Sequence, residues 1–339
     1  MRPFEYVNAN SRNQVGELLG KNWGDAEILA GGTDLVALMK DEVVNPKRLV
    51  NIKGIDDLHG LKADASGMRI GALVTLSELA HGAELAKVYP AIADAARDAA
   101  SPQIRNVATI GGNICQRPRC WYFRNGMGLL PTTKDGKSMV LAGDHRYHAV
   151  LGNDGPAYFV SPSTVVPALI AHGAKVRILG GGKLREVELE KFFITPKNEN
   201  EREHDLRPNE LVVEIFIPAA AGVKAANYEV RQKEHFDWPL ATCSVALTMD
   251  GSKVKSAKIV LGAVAPVPWV SNEAAQAIVG KEITPDTAMA AANAALAPAK
   301  SLGQNKYKIT MAKAAVKRAL LAAAGGQSAH LGGHHDAHA

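Results

Sequence analysis

Ala26-Glu-Ile-Leu-Ala-Gly-Gly-Thr-Asp-Leu-Val-Ala-Leu-Met-Lys40 reads as a short apolar strand over 26–30, halted by Gly31-Gly32, after which Thr33 caps a helix over 34–40. A second turn of the same kind, Thr109-Ile-Gly-Gly-Asn113, follows much further along the chain. Glycine pairs beside a hydroxyl residue at a helix start bring backbone N–H groups close to a ligand without interfering Cβ atoms, which is what a pyrophosphate requires. Each pair taken singly is equally a tight turn, so the two together carry more than either alone.

Outward from these turns the chain alternates helix and strand signals. Ser11-Arg-Asn-Gln14 has the form of a capping box ahead of Val15, Leu18 and Leu19, and 48–52 reads as a further strand, which makes residues 1–56 a compact α/β lobe. A strand over 68–73, a helix capped by Thr75 and an Ala-rich helix opened by Pro90 begin a second lobe, spanning 57–222. That lobe continues with a helix capped at Ser163, a strand over 174–179 and a β-run over 211–217 closed by Pro218. Within it, about 114–160 lacks regular signals, and a connection that long is uncommon unless it has a function. Beyond Ala219-Ala-Ala-Gly222, three strands and then three Ala-rich helices predict a separate α+β domain over 223–324. The His-rich segment 325–339 reads as a mobile tail.

Composition narrows the function. Hydrophobic residues at 47% and charged residues at 22% exclude disordered, collagen-like and coiled-coil classes. Lys and Arg exceed Asp and Glu by 39 − 34 = 5 with no polybasic run, so a nucleic-acid stripe is not indicated. The interleaved Arg117, Arg119, Trp121, Tyr122, Phe123 and Arg124 leave an RNA-stacking platform as a minor reading. Three cysteines cannot make a disulfide framework. The N-terminus lacks an apolar signal core and no run reaches the ~20 apolar residues of a membrane span, so neither an export address nor membrane insertion is expected. No G-x-G-x-x-G follows a strand, and the Walker, H-E-x-x-H and G-x-S-x-G patterns are missing.

Three motifs in order, A-G-G-T-D-L…L-M-K (Ala30 to Lys40), I-R-N-x-A-T-I-G-G-N-I (Ile104 to Ile114) and F-D-W-P-L-A (Phe236 to Ala241), resemble the FAD-binding medium subunit of the xanthine dehydrogenase and aldehyde oxidoreductase family of molybdenum hydroxylases. The resemblance covers nearly the whole chain. It implies an α+β fold, a two-lobed FAD-binding domain of the vanillyl-alcohol-oxidase (PCMH) type followed by a smaller α+β domain. It implies that Leu29, Ala30, Gly31, Gly32, Thr33, Asp34 and Leu35 wrap the FAD pyrophosphate, and that Thr109, Gly111, Gly112 and Asn113 approach the flavin and phosphates. The family's Lys-x-Arg-x-Arg beside the isoalloxazine is here Glu229-Val-Arg231-Gln-Lys233, so Arg231 and Lys233 carry over and Glu229 departs. A changed charge there lowers the flavin's reduction potential, since a cation stabilises the anionic reduced form; on the residues alone, either cation is as readily a solvated edge-strand face.

Residues 112–124 resemble a branch of the family that holds a four-iron four-sulfur cluster in an inserted loop. Four thiolates are the ordinary ligand set, and only Cys120 stands at a ligand position, with Cys115 out of place. A vestigial loop is expected in preference to a zinc site built from Cys115, Cys120, His145 and His148, with Cys120 a buried thiol and the basic and aromatic residues packed on a partner subunit. Cys243 reads as a core strand residue. Where relatives carry His-Pro-Ser-Asp this chain has Ser161-Pro-Ser163-Thr164, which removes a candidate acceptor for FAD hydroxyls.

The resemblance implies an electron-transfer subunit with no catalytic side chain of its own and no metal in this chain. A large subunit would carry the molybdenum cofactor and a small one two-iron two-sulfur clusters. FAD would pass electrons to an acceptor that the sequence does not name, whether NAD, a quinone, oxygen or a carrier protein. A cytoplasmic location is expected, or a periplasmic one if a partner bears the signal. The rival readings are a self-sufficient flavoprotein oxidoreductase and a structural subunit that has lost its cofactor.

Overall fold

The computed structural model describes residues 1–233 and 236–325, so the tail expected over 325–339 lies outside the described residues except for Gly325, which ends the last helix. The described residues fold around three sheets. The first joins β1 (Glu5–Asn8), β2 (Ala26–Leu29) and β3 (Arg48–Asn51) in parallel, in the order β1-β3-β2. Parallel neighbours need a crossover, and the helix Leu35–Lys40 provides it between β2 and β3. The first glycine turn therefore sits at the carboxyl end of β2, where open α/β sheets bind ligands. The helix Arg12–Leu19 buries Val15 and Leu19. Its capping box is displaced by one residue: Ser11 Oγ accepts the Gln14 N–H at 3.4 Å, but Gln14 Oε1 takes the N–H of Asn10 at 2.8 Å.

The second sheet is antiparallel, formed by β4 (Leu61–Asp64), β5 (Gly67–Gly71), β6 (Lys175–Gly180), β7 (Lys183–Glu188) and β8 (Glu210–Pro218) in the order β4-β5-β8-β6-β7. Central β8 is covered on both faces, which explains its unbroken apolar run. Leu211 and Val213 join the core beneath the first sheet, while Val212, Ile215 and Ile217 join the core under the helices Pro90–Asp98 and Val166–Ala171.

The third sheet is an antiparallel meander, order β12-β11-β10-β9, of β9 (Val223–Arg231), β10 (Pro239–Asp250), β11 (Lys253–Gly262) and the two-residue β12 (Trp269–Val270). Helices Asn272–Ile278, Pro285–Ala295 and Tyr307–Gly325 pack on it through buried alanines such as Ala274, Ala291 and Ala315. Ala246 and Val260 reach the central core instead, so this sheet too is buried on both sides. Cys243 lies at 0% exposure on β10 among these core residues. No helix among the described residues is long and apolar enough to cross a membrane.

Between the second glycine turn and Ser161 the inserted segment builds a small core of its own. Phe123, Leu129, Leu130, Ala157 and Phe159 pack with Leu38 from the helix that follows the first turn. Its far end is tied to the last helix. The fully buried Lys308 gives its ammonium to the carbonyls of Tyr147 (2.9 Å) and Ala263 (2.7 Å), and Asn305 Nδ2 donates to those of His148 and Ala149.

Candidate cofactor cleft

The two glycine turns touch. A Cβ added at Gly31 would stand 2.0 Å from the carbonyl oxygen of Val107, which leads into the second turn, so only glycine permits this approach. Gly32 follows in the left-handed region, φ +72°. Val36 N–H returns to Gly32 O at 3.0 Å and starts the helix. The cap differs from the sequence expectation: the N-cap position is Asp34 rather than Thr33, and it makes no side-chain cap bond. The reason is that the Asp34 carboxylate is drawn the other way, into the inserted segment. Arg119 reaches it at 2.9 Å, Arg124 at 2.8 Å, and the Arg117 backbone N–H donates to it at 2.9 Å. Burial lowers the Arg119 guanidinium to about 10, with Asp34 opposing the shift.

Among the described hydrogen bonds none engages the backbone N–H of Gly31, Gly32, Thr33, Asp34 or Leu35. These residues, with Ala30, line an open cleft of about 1160 Å³ of unfilled space, solvent mouth included. Thr109, Gly111 and Gly112 form the facing wall. The two glycine amides are already in use: Thr109 Oγ1 accepts the Gly112 N–H at 3.1 Å, and Gly111 N–H goes to Ala72 O at 2.9 Å. The second turn thus contributes two positions without a Cβ, Gly111 and Gly112, and the first contributes the free donors. A run of unpaired amides with the adjacent carboxylate neutralised by two guanidiniums is a fitting bed for the FAD pyrophosphate.

The remaining residues singled out from sequence lie off this wall. Leu29 packs under the turn, its Cδ1 close to the Gly32 Cα side. Asn113 borders a small adjoining hollow and accepts the Ser163 hydroxyl at 2.5 Å; Ser163 Oγ in turn accepts the Val166 N–H. Arg231 is not a solvated edge-strand cation: its side chain is 13% exposed, bonded to Glu229 at 2.6 Å and to the Asp98 carbonyl at 2.6 Å. Burial pushes the Glu229 carboxyl up to about 7, with Arg231 opposing. Lys233 is exposed, its N–H on Asp237 Oδ2.

The inserted segment also departs from expectation. Its basic residues make ion pairs within the chain, Arg117 with Glu203 at 2.9 Å and Arg119 and Arg124 with Asp34. The Arg117 guanidinium also lies 4.8 Å over Phe123. Cys120 is half-buried, with Sγ 3.2 Å from His148 Nε2, and His145 instead bonds Val140 O and the Gln304 N–H. Among the described residues no three of His, Cys, Asp and Glu gather as a metal site. Cys115 is on the cleft wall, where burial pushes its thiol up to about 12.

Replacing Asp34 by asparagine is expected to cost about 2–4 kcal/mol, since it strands two half-buried guanidiniums. Hydrogen exchange should then speed up selectively over 117–124; unchanged protection there would show that the ion cluster does not hold the segment down.

The sequence reading missed Trp23, Glu27, Arg117, Arg202 and His204, all on the cleft wall. Glu27 lies in the first quoted stretch and Arg117 in the basic and aromatic run, but neither was given a place in the cleft.

Over residues 2–220 the chain matches the family model described as the FAD binding domain in molybdopterin dehydrogenase, and over 226–323 the CO dehydrogenase flavoprotein C-terminal domain. It is 31% identical over 316 residues to the aldehyde oxidoreductase FAD-binding subunit PaoB of Escherichia coli K12, covering 92% of this chain and 96% of that one. It is 32% identical over 324 residues to the carbon monoxide dehydrogenase medium chain of Hydrogenophaga pseudoflava, covering 94% and 96%. A solved structure of the latter organism's carbon monoxide dehydrogenase, in a form that lacks the Mo-pyranopterin moiety, matches with a TM-score of 0.74 at 31% identity over 95% of this chain and 97% of that one. With the cradle, the three-sheet fold and these likenesses in agreement, the chain belongs to the FAD-binding medium subunits of the molybdenum hydroxylases, an oxidoreductase family.

Proposed function

We propose that this chain holds FAD in the cleft between the two glycine turns. The pyrophosphate would lie on the amides of Gly31 to Leu35, and the isoalloxazine would extend past Thr109, Gly112 and Asn113 toward Arg231 and Lys233. The observation that carries this is the run of five backbone donors without a partner among the described hydrogen bonds, in a cleft whose other side includes Gly111 and Gly112. Bound FAD would supply the electron-accepting and electron-donating chemistry. The chain's own work is to bind, orient and tune: the first turn supplies hydrogen bonds to phosphate oxygens, Asp34 is kept from repelling them by Arg119 and Arg124, and Ser163 fixes Asn113. The Glu229–Arg231 pair presents less net positive charge to a flavin than an arginine alone, which favours a lower reduction potential.

The chain would work beside a large molybdenum-cofactor subunit and a small subunit with two-iron two-sulfur clusters, taking electrons from the latter. Its domains would run as 1–56, 57–222 and 223–324. A cytoplasmic location is the simplest arrangement. Purifying the native complex and counting flavin, iron and molybdenum together tests this: one FAD per copy of this chain and two further subunits are expected. A colourless complex that releases no flavin on denaturation would overturn the assignment, and a flavin-loaded chain that copurifies with neither metal would favour a self-sufficient flavoprotein.

A further inference from the structure

A second hollow lies beside the cofactor cleft, and its walls are aromatic: Trp121, Tyr147, Phe159 and Trp238 line it. Phe159, Ser161 and Pro162 line both this hollow and the small one that Asn113 borders, so one layer of side chains parts it from the second glycine turn. Arg119 ties it to the first turn as well, with its guanidinium 2.9 Å from Asp34 and 4.5 Å over the Trp238 ring. The charged groups of the hollow are already engaged. Arg119 is paired with Asp34, and Lys308 gives its ammonium to the carbonyls of Tyr147, His148 and Ala263. Cys120 and His148 face each other at 3.2 Å. The Asp237 carboxylate adds a negative charge to the wall. Two donors are left over. Among the described hydrogen bonds none engages the Ser161 hydroxyl, although Ser161 is only 4% exposed, and none engages the amide NH2 of Gln232, whose Oε1 accepts the Tyr147 hydroxyl at 3.2 Å.

We propose that this hollow holds a neutral planar quinone, its carbonyls accepting from Ser161 and Gln232 and its ring stacked on the face of Trp238 that Arg119 leaves open. A buried hydroxyl without a partner is unfavourable unless a ligand or water completes it. A quinone brings acceptors and no donors, which complements this wall, and its flat ring suits the aromatic lining. A phosphate-bearing or carboxylate ligand would meet Asp237 and no cation that is not already engaged, so a nicotinamide dinucleotide is disfavoured. The ring site stands on these residues alone; its use as an exit for electrons rests on the reading of the cleft as an FAD site. In that use two electrons pass from the anionic reduced cofactor to the quinone. The quinone also takes two protons, one given up by the cofactor as it is re-oxidised and one from solvent, and leaves as the hydroquinone.

The test uses the native complex and menadione, a small neutral naphthoquinone, with bound quinone measured by equilibrium dialysis. Menadione should bind saturably. Ser161→Ala should weaken it about fivefold by removing a donor, and Trp238→Ala about tenfold by removing the stacking surface. 1,4-Naphthoquinone-2-sulfonate, which has the same ring with a charge added, should bind at least about tenfold more weakly. No binding, binding that neither variant weakens, or a preference for the sulfonate would overturn the site. In a second arm the complex is reduced anaerobically with dithionite and mixed with sub-saturating menadione. Flavin absorbance should return more slowly in both variants than in the unmodified complex. Return at the unmodified rate in variants that bind menadione weakly would overturn the electron exit and leave the ring site. A complex with no flavin absorbance to follow would overturn the reading of the cleft, while dialysis still decides the ring site.

Discussion

A Gly31→Ala chain is expected to carry less than about a tenth of the flavin of the unmodified protein and to be destabilised by about 3 kcal/mol or more. The new Cβ would fall 2.0 Å from Val107 O, 2.8 Å from Val107 C and 3.2 Å from Ala108 Cα, all backbone atoms that cannot rotate aside. Nor is that stretch of backbone free to retreat. Ala108 N–H is held by Ile104 O at 2.7 Å, and Ala108 O by Leu76 N–H at 2.8 Å. The two turns must therefore part by about 1 Å or more, which is beyond the overpacking that a core absorbs for 1–3 kcal/mol. The parting opens the bed on which the pyrophosphate would lie. Gly32→Ala is the informative contrast. There a Cβ meets only Leu29 Cδ1 and Val36 Cγ2, each at 3.1 Å and each the end of a side chain, so the main penalty is the left-handed backbone, about 1–2 kcal/mol. The ratio of flavin to protein absorbance, read alongside thermal unfolding, separates the two variants. A Gly31→Ala protein with full flavin would show that the turns do not act as one cradle.

Much of what is local in this chain was legible from its sequence. The helix at 12–19, the strand ahead of the first glycine turn, the β-run ending at Pro218 and the strands-then-helices order of the last hundred residues all announce themselves through caps, breakers and periodicity, and the structure holds them. The two glycine turns were legible as a pair, though not the division of labour between them, because the Gly111 amide is taken by Ala72 O, well outside the turn. The internal ion pairs of the inserted segment were not legible for the same physical reason. Arg117 and Arg124 find Asp34 at 83 and 90 positions' separation, and no spacing in a sequence advertises a pair that far apart. Trp23, Glu27, Arg202 and His204 are likewise gathered from two distant segments. In the sequence, 198–204 is simply a polar stretch.

Acid sensitivity is the second large effect, and its source is three buried imidazoles. His148, His172 and His204 are 3%, 9% and 8% exposed, and each has one ring nitrogen with no partner. His172 sits edge-on to Tyr89 at 5.2 Å, His204 lies flat against Phe192 at 5.5 Å, and His148 is enclosed by Trp121 and Tyr122. Protonation would put a new N–H donor and a charge where nothing accepts them, so burial holds all three down at about 4; Lys308 adds to the effect at His148 and Arg117 at His204. Above pH 6.5 the ring is neutral in both folded and unfolded chains and contributes no pH dependence. Between 6.5 and 4 the unfolded chain takes the proton and the folded chain does not, so stability falls as pH descends, by about 3 kcal/mol per ring once pH 4 is reached. Glu27 and Glu229, held up near 7, act in the opposite sense over the same descent, since there the folded chain takes the proton first. The readable quantity is therefore a difference between variants. Between pH 7 and pH 4.5, His172→Leu should lose about 2–3 kcal/mol less than the unmodified chain in urea unfolding. Identical losses would mean that the folded core accommodates a protonated His172, and with it that the imidazole beside Tyr89 is reached by water.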